Sequence, residues 1–331
     1  MKIGVVFPQT EIGNDPAAIR DYAQAVEAMG YTHVLAFDHV VGANPDRPGG
    51  WKGPYTHRHA FHEPFVLFGF LAAATTRLEL ATGIIILPQR QTALVAKQTA
   101  AVDVLSGGRL RLGVAVGWNP VEFDALGEDF HNRGQRIEEQ IEVLRALWTN
   151  ELVTIKGRWH QVPDAGLNPL PVQRPIPIWI GGESERAVRR ATRVADGWMP
   201  HFRPGDEAQA VVDRVHGWIK EAGREPAKFG IEGRFSLTQV PRDQWAKELA
   251  AWRALRGATH ISVNTMNLGL KSPSDHVETL RRFKEDAGVW VHDGIGRSRF
   301  VYRERAVSTA RGATGSLSTL PAAGSPGGLV G

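Results

Sequence analysis

Leu105-Ser106-Gly107-Gly108-Arg109-Leu110-Arg111-Leu112-Gly113-Val114-Ala115-Val116-Gly117-Trp118 is the stretch from which the architecture follows. In the residues leading into it, Thr92 to Leu105, the apolar positions Leu94, Val95, Ala101, Val102 and Leu105 recur at helical spacing and predict one amphipathic helix. Ser106-Gly107-Gly108 stops that helix, because glycine accepts the left-handed conformation that a helix C-terminus needs. Leu110, Leu112, Val114 and Val116 then alternate with small residues at Gly113 and Ala115, a pattern that suits a barrel wall covered by helices. The strand runs out at Gly117-Trp118-Asn119-Pro120, where a glycine opens the backbone beside a large aromatic ring. Helix, tight stop, buried strand and Gly-Trp loop form one αβ unit, with a candidate site at the strand's C-terminal end.

Outward from this unit the pattern repeats. Ile3 to Phe7 reads as a strand, Pro16 opens a helix that lasts to Gly30, and Val34 to Phe37 reads as a second strand ending in Asp38-His39. Val40 to His62 is a long loop rich in Pro and Gly, the kind that usually serves as a lid or binding loop. A helix over 63–75, a strand over 78–86, a helix over 136–148 and a small hairpin near 153–162 follow. Strands near 176–180, 197–200, 230–235 and 259–264 alternate with helices over 184–194, 206–222, 243–256 and 275–287. Eight strands, each followed by a helical stretch, predict an α/β fold: a (β/α)8 TIM barrel with insertion loops, over residues 1–290. Residues 291–331 read as a low-complexity C-terminal extension, with Ser308 to Gly331 expected to be a disordered tail.

At 331 residues the chain is long enough for one such barrel, and 42% hydrophobic with 22% charged residues is ordinary for a globular protein. The absence of cysteine excludes disulfides, thiolate catalysis and cysteine-ligated metals. The net charge of +4 comes from the end of the chain: from Gly294 onward there are five arginines and one acid, and the remainder is neutral. The basic balance is therefore no sign of nucleic-acid binding by the body of the protein. No apolar run is long enough to span a membrane, and no signal peptide precedes the first strand, so the chain is expected to be cytoplasmic.

In eight-stranded α/β barrels chemistry sits at the C-terminal strand ends. Those positions hold Phe7-Pro8, Asp38-His39, Gly83-Ile84, Gly117-Trp118, Gly181-Gly182, His201, Arg234 and Asn264. Histidine is the side chain best suited to moving a proton near neutral pH, which makes His39 the candidate acid–base residue and Asp38 a residue that shapes its loop. The structural alternative is a capping Asp38 and a polar surface His39. Gly181-Gly182-Glu183-Ser184 opens a helix after a strand, so its free amides could take an anion such as a cofactor phosphate, or Ser184 could simply cap the helix. His57, His59 and His62 lie together in the long loop without a matching carboxylate pattern, and no metal site is expected. No Gly-x-Gly-x-x-Gly opens a βαβ unit, which argues against a Rossmann nucleotide site.

With these residues placed, the chain resembles the bacterial luciferase-like flavin and deazaflavin oxidoreductases. Asp38-His39, Ala81 to Pro88, Leu105 to Val114 with Gly117-Trp118, Arg133-Gly134, Leu144 to Trp148, Pro177 to Gly182 and Ala195 to Trp198 carry the resemblance, in order, across roughly residues 1 to 288. It implies a flavin-type ring at the barrel mouth, supported by an often cis peptide at Gly83-Ile84. It also implies a phosphate against Gly181, Gly182, Glu183 and Ser184, with Asp38, Gly117 and Trp118 completing the cofactor site. Among relatives that use coenzyme F420, the residue matching His39 is a proposed acid–base residue. Related sugar-phosphate dehydrogenases carry a glutamate where this chain has Trp118, so a second acid is missing at that point and a sugar phosphate is not the expected substrate.

The resemblance thus implies an F420-dependent oxidoreductase that passes a hydride between a deazaflavin and a small organic substrate. An FMN-dependent monooxygenase that uses reduced flavin and oxygen is the alternative, and it would need a separate cofactor reductase. Readings of other classes are a non-catalytic flavin-binding barrel and a metal-dependent hydrolase built on His39 and the loop histidines. The resemblance further implies a homodimer.

Overall fold

The computed structural model describes residues 1–289. Eight parallel strands make the barrel: β1 Lys2–Val6, β2 His33–Ala36, β3 Glu79–Thr82 resuming as Ile85–Ile86, β4 Leu110–Ala115, β5 Ile178–Gly181, β6 Gly197–Met199, β7 Gly230–Ser236 and β8 His260–Asn264. Each pairs in parallel with its sequence neighbours, β1 pairs with β8, and Leu80 of β3 lies opposite Leu110 of β4, so the sheet closes on itself. Helices α1 Pro16–Ala28, α2 Pro64–Ala74, α3 Thr92–Ser106, α4 Pro120–Ala125, α5 Arg133–Thr149, α6 Glu185–Val194, α7 Asp206–Glu221 and α8 Trp245–Ala254 connect the strands, and α9 Pro273–Asp286 follows β8. An antiparallel hairpin, Val153–Lys156 with Gln161–Ala165, fills the insertion between α5 and β5. The expected extension and its tail lie outside the described residues. No helix among the described residues is long and apolar enough to cross a membrane.

The deciding stretch folds as read, with two corrections. Gly107 takes the left-handed conformation (φ 69°, ψ 38°) just past α3, and Gly108 donates its amide to the Asp103 carbonyl at 2.8 Å, which closes the helix end. However, Leu94 and Leu105 point outward, 52% and 69% exposed, while Val95, Ala96, Thr99, Ala100 and Val102 are buried. Small side chains face inward because α5 packs closely here: the Trp148 indole reaches the Ala96 carbonyl at 3.1 Å. Reading only large apolar residues placed the stripe one position off. The second correction concerns the third strand, which breaks at Gly83–Ile84, where the peptide is cis.

Leu110, Leu112 and Val114 of β4 pack against the helix layer, so Arg111 is carried into the barrel interior. There it is held between Glu79 at 2.6 Å and Glu232 of β7, and its guanidinium lies 4.3 Å from the Trp179 ring centroid. His33 Nε2 meets Glu232 at 2.8 Å and Ser262 at 2.9 Å. Burial alone would raise the Glu232 carboxyl, but Arg111, His33 and Ser262 hold it well below the usual carboxylate range. This charged layer forms the floor beneath the mouth.

Candidate active site at the barrel mouth

A cavity of about 350 Å3 opens at the C-terminal ends of the strands, a size suited to a small-molecule or cofactor site. Of the positions singled out in the sequence, Asp38, His39, Gly83, Ile84, Gly117, Trp118, Gly181, Gly182 and Ser184 line it, and so do His201 and Arg234. Glu183 does not line it. Its carboxylate turns to His201 Nδ1 at 3.5 Å instead of to the cavity. Phe7 is core, fully buried, and Asn264 lines a neighbouring cavity rather than this one.

His39 does not stand alone. Its Nδ1 lies 3.2 and 3.3 Å from the two oxygens of Glu122, and the Val40 amide donates to the same carboxylate at 2.8 Å. Glu122 comes from α4, whose six residues follow an Asn119 cap and a Pro120 start. It is 1% exposed. Burial alone would raise its pKa, but the hydrogen bond and charge of His39, with the Val40 amide and Asn119, hold it below the usual carboxylate value. Sequence reading missed this residue and took the second acid to be absent because Trp118 occupies the familiar position. The available signal was the Asn119-Pro120 pair, which marks a helix start. Around the imidazole stand Tyr55 and Phe61 of the long loop, each with ring centroid 4.8 Å away, and Trp118 at 5.9 Å.

Asp38 plays a supporting part. It accepts from Arg90 Nη2 at 2.8 Å and from the Ile86 amide at 3.2 Å, while Arg90 also pairs with Glu63 at 3.0 Å. Burial pushes the Asp38 carboxyl above its ordinary value despite the neighbouring guanidinium. The Asp–Arg bridge thus ties the end of β2 to the segment after β3. On the far wall Gly117 has φ +75°, and a Cβ there would come within 2.5 Å of Ile86, so both the conformation and the close approach require glycine.

The other end of the cavity is the start of α6. Ser184 caps it by accepting from the Ala187 amide at 3.3 Å, the capping role given above as the alternative. The preceding first-turn amides stay free of intrahelical partners, as at any helix start, and Ser184 also borders the cavity. Gly181 passes close to Ile84: a Cβ there would lie 3.1 Å from it. A ring against Gly83 and Ile84, with a phosphate at the α6 start, suits this apolar wall and helix end. No group of three or more His, Asp or Glu side chains placed to hold a metal occurs among the described residues. His59 takes the Thr56 amide at 3.0 Å within its own loop.

The model of the luciferase-like monooxygenases matches residues 1–312. The chain belongs to the luciferase-like monooxygenase family. An uncharacterised protein of Mycobacterium tuberculosis is 34% identical over 287 residues, covering 85% of this chain and 97% of that one. The FMNH2-dependent dimethylsulfone monooxygenase of Pseudomonas putida is 35% identical over 240 residues, 71% of this chain and 65% of its own length. Among solved structures, the coenzyme F420-dependent tetrahydromethanopterin reductase of Methanopyrus kandleri superposes with a TM-score of 0.66 at 15% identity, covering 84% of this chain and 96% of that one. Members of the luciferase-like family are oxidoreductases; an FMNH2-dependent enzyme stands among the sequence relatives of this chain, and an F420-dependent one among the solved structures that share its fold.

Proposed function

We propose that this luciferase-like protein is an F420-dependent oxidoreductase in which His39 exchanges a proton with a small organic substrate. The observation that carries the reading is the His39–Glu122 pair at the edge of the cavity. An ionised Glu122 accepts the Nδ1 proton, so Nε2 is left as the nitrogen available to take a proton from substrate or return it. Nε2 has no hydrogen-bond partner among the described residues. Gly83, Ile84, Gly117 and Trp118 would hold the ring, and Gly181, Gly182 and Ser184 the phosphate. When bound, a deazaflavin supplies or accepts the hydride. The rings of Tyr55, Phe61 and Trp118 surround the imidazole and leave its side chain 12% exposed.

A second reading, an FMN-dependent monooxygenase fed by a separate reductase, is favoured by the similarity to the P. putida enzyme. Parallel titrations with coenzyme F420 and FMN separate the two. Tight F420 binding with substrate-dependent bleaching of its absorbance supports the first reading. Tight binding of FMN alone overturns it.

We also propose a homodimer. Val66 and Phe70 of α2, 72% and 42% exposed, and the outward Leu94 of the adjacent α3 supply an apolar surface for it. A monomer mass by light scattering at micromolar concentration counts against it.

A further inference from the structure

Beside the main cavity lies a second of about 300 Å3, and the two share Phe37, Tyr55, His201 and Arg234. Its remaining wall is polar, with Thr10, Ser236, Thr238, Gln239 and Asn264, and no Asp or Glu lines it. Three cationic or potentially cationic side chains do. Arg203 is engaged by Glu248 at 2.8 and 3.1 Å, and His201 faces Glu183 at 3.5 Å. Arg234 is different: among the described residues its guanidinium makes no hydrogen bond and no ion pair. Its neighbour is the Phe37 ring, with the centroid 4.8 Å away. Glu232, two residues earlier on β7, is already committed to Arg111, His33 and Ser262.

We propose that Arg234 and this second cavity form a subsite for an anionic group of the substrate, a carboxylate or sulfonate, whose apolar remainder extends into the main cavity toward His39. A guanidinium offers five donors in a fixed fork that matches such an oxyanion, and a half-buried one that makes no ion pair gains by meeting an anion. Burial already lowers the pKa of Arg234. Asn264 adds to the site: its Oδ1 accepts the Met266 amide at 3.0 Å, which leaves its side-chain NH2 to donate. Because Arg234 borders both cavities, an anion bound there keeps the rest of the molecule in the mouth that holds His39. The inference rests on the oxidoreductase reading for the fate of the substrate, but not for the binding itself.

The test uses hexanoate and hexane-1-sulfonate as probes, with hexan-1-ol and hexanamide as uncharged controls. Each is titrated calorimetrically into the full chain, with and without bound cofactor. The expected result is that both anions bind about tenfold or more tightly than the uncharged controls. Arg234→Gln should remove that preference, Arg234→Lys should restore part of it, and affinity for F420 and FMN should stay within about twofold. In anion-free buffer Arg234→Gln should melt no lower than the parent, since it removes a half-buried charge that makes no ion pair. Equal affinity for charged and uncharged probes in the parent protein overturns the proposal. So does an Arg234→Gln variant that loses cofactor and keeps the anions, which would assign the guanidinium to the cofactor instead. If the parent binds neither F420 nor FMN, the oxidoreductase reading fails, while the cofactor-free titration still decides the role of Arg234.

Discussion

The floor and the mouth of this barrel are built from the same kinds of side chain and treat them differently. On the floor Arg111 lies between Glu79 and Glu232, and Glu232 also takes His33 and Ser262, so every charge faces an opposite one. At the mouth Glu122 pairs with His39, but Arg234 makes no ion pair among the described residues, its nearest acid, Glu232, being committed to the floor. Buried charges that the protein pairs itself hold the fold in register. Those it leaves open are free to meet something else.

The largest test of this contrast is His39→Ala. Turnover should fall by about 10²–10⁴, the usual worth of a positioned acid or base, while cofactor affinity stays nearly unchanged. Steady-state kinetics beside a cofactor titration checks both, and a variant that keeps its turnover and only raises KM would make His39 a binding residue. Next is Glu232→Ala on the floor, which leaves the Arg111 guanidinium buried without its main partner. A loss of about 3–5 kcal/mol is expected by urea unfolding, against little or none for Arg234→Gln. Similar losses at both sites would erase the distinction between floor and mouth.

His260, also on the floor, sharpens the contrast through pH. Burial first, and Arg111 second, push its imidazole down to about 3. The folded protein therefore binds fewer protons than the unfolded chain between that value and the ordinary histidine range. Its contribution to stability is present above the ordinary range and is lost as pH falls through this window. His260→Gln should make the acid-side slope of unfolding free energy shallower by about one proton, roughly 1.4 kcal/mol per pH unit. The smallest effect is expected for Ser184→Ala, about 1 kcal/mol from the lost cap, with a modest weakening of any phosphate contact.

The barrel was legible because its information is local and periodic: apolar alternation in β4, the Gly107 stop, and repeated strand–helix spacing. The site was legible where strand ends converge, which placed His39, Gly117 and Gly181 without any tertiary contact in hand. What could not be read were partners distant in the chain. Glu122 is 83 residues from His39, and Arg90 is 52 from Asp38. Nothing local marks either as a partner, though Asn119-Pro120 marks the helix that carries the first. The interior position of Arg111 was overlooked for a different reason. Alternation was judged on apolar residues, and a charge in a buried strand makes sense only once Glu79 and Glu232 are seen to meet it.

The Glu122 carboxylate joins the catalytic candidate to the long loop. It holds the imidazole of His39 and the amide of Val40, the residue where the long loop departs from the barrel. A displacement of the loop at Val40 would alter the same carboxylate that sets the tautomer of the neighbouring ring. Loop position and proton occupancy are then thermodynamically linked, and the linkage runs both ways: whatever favours one arrangement of the loop shifts the proton, and the proton shifts the loop by the same free energy.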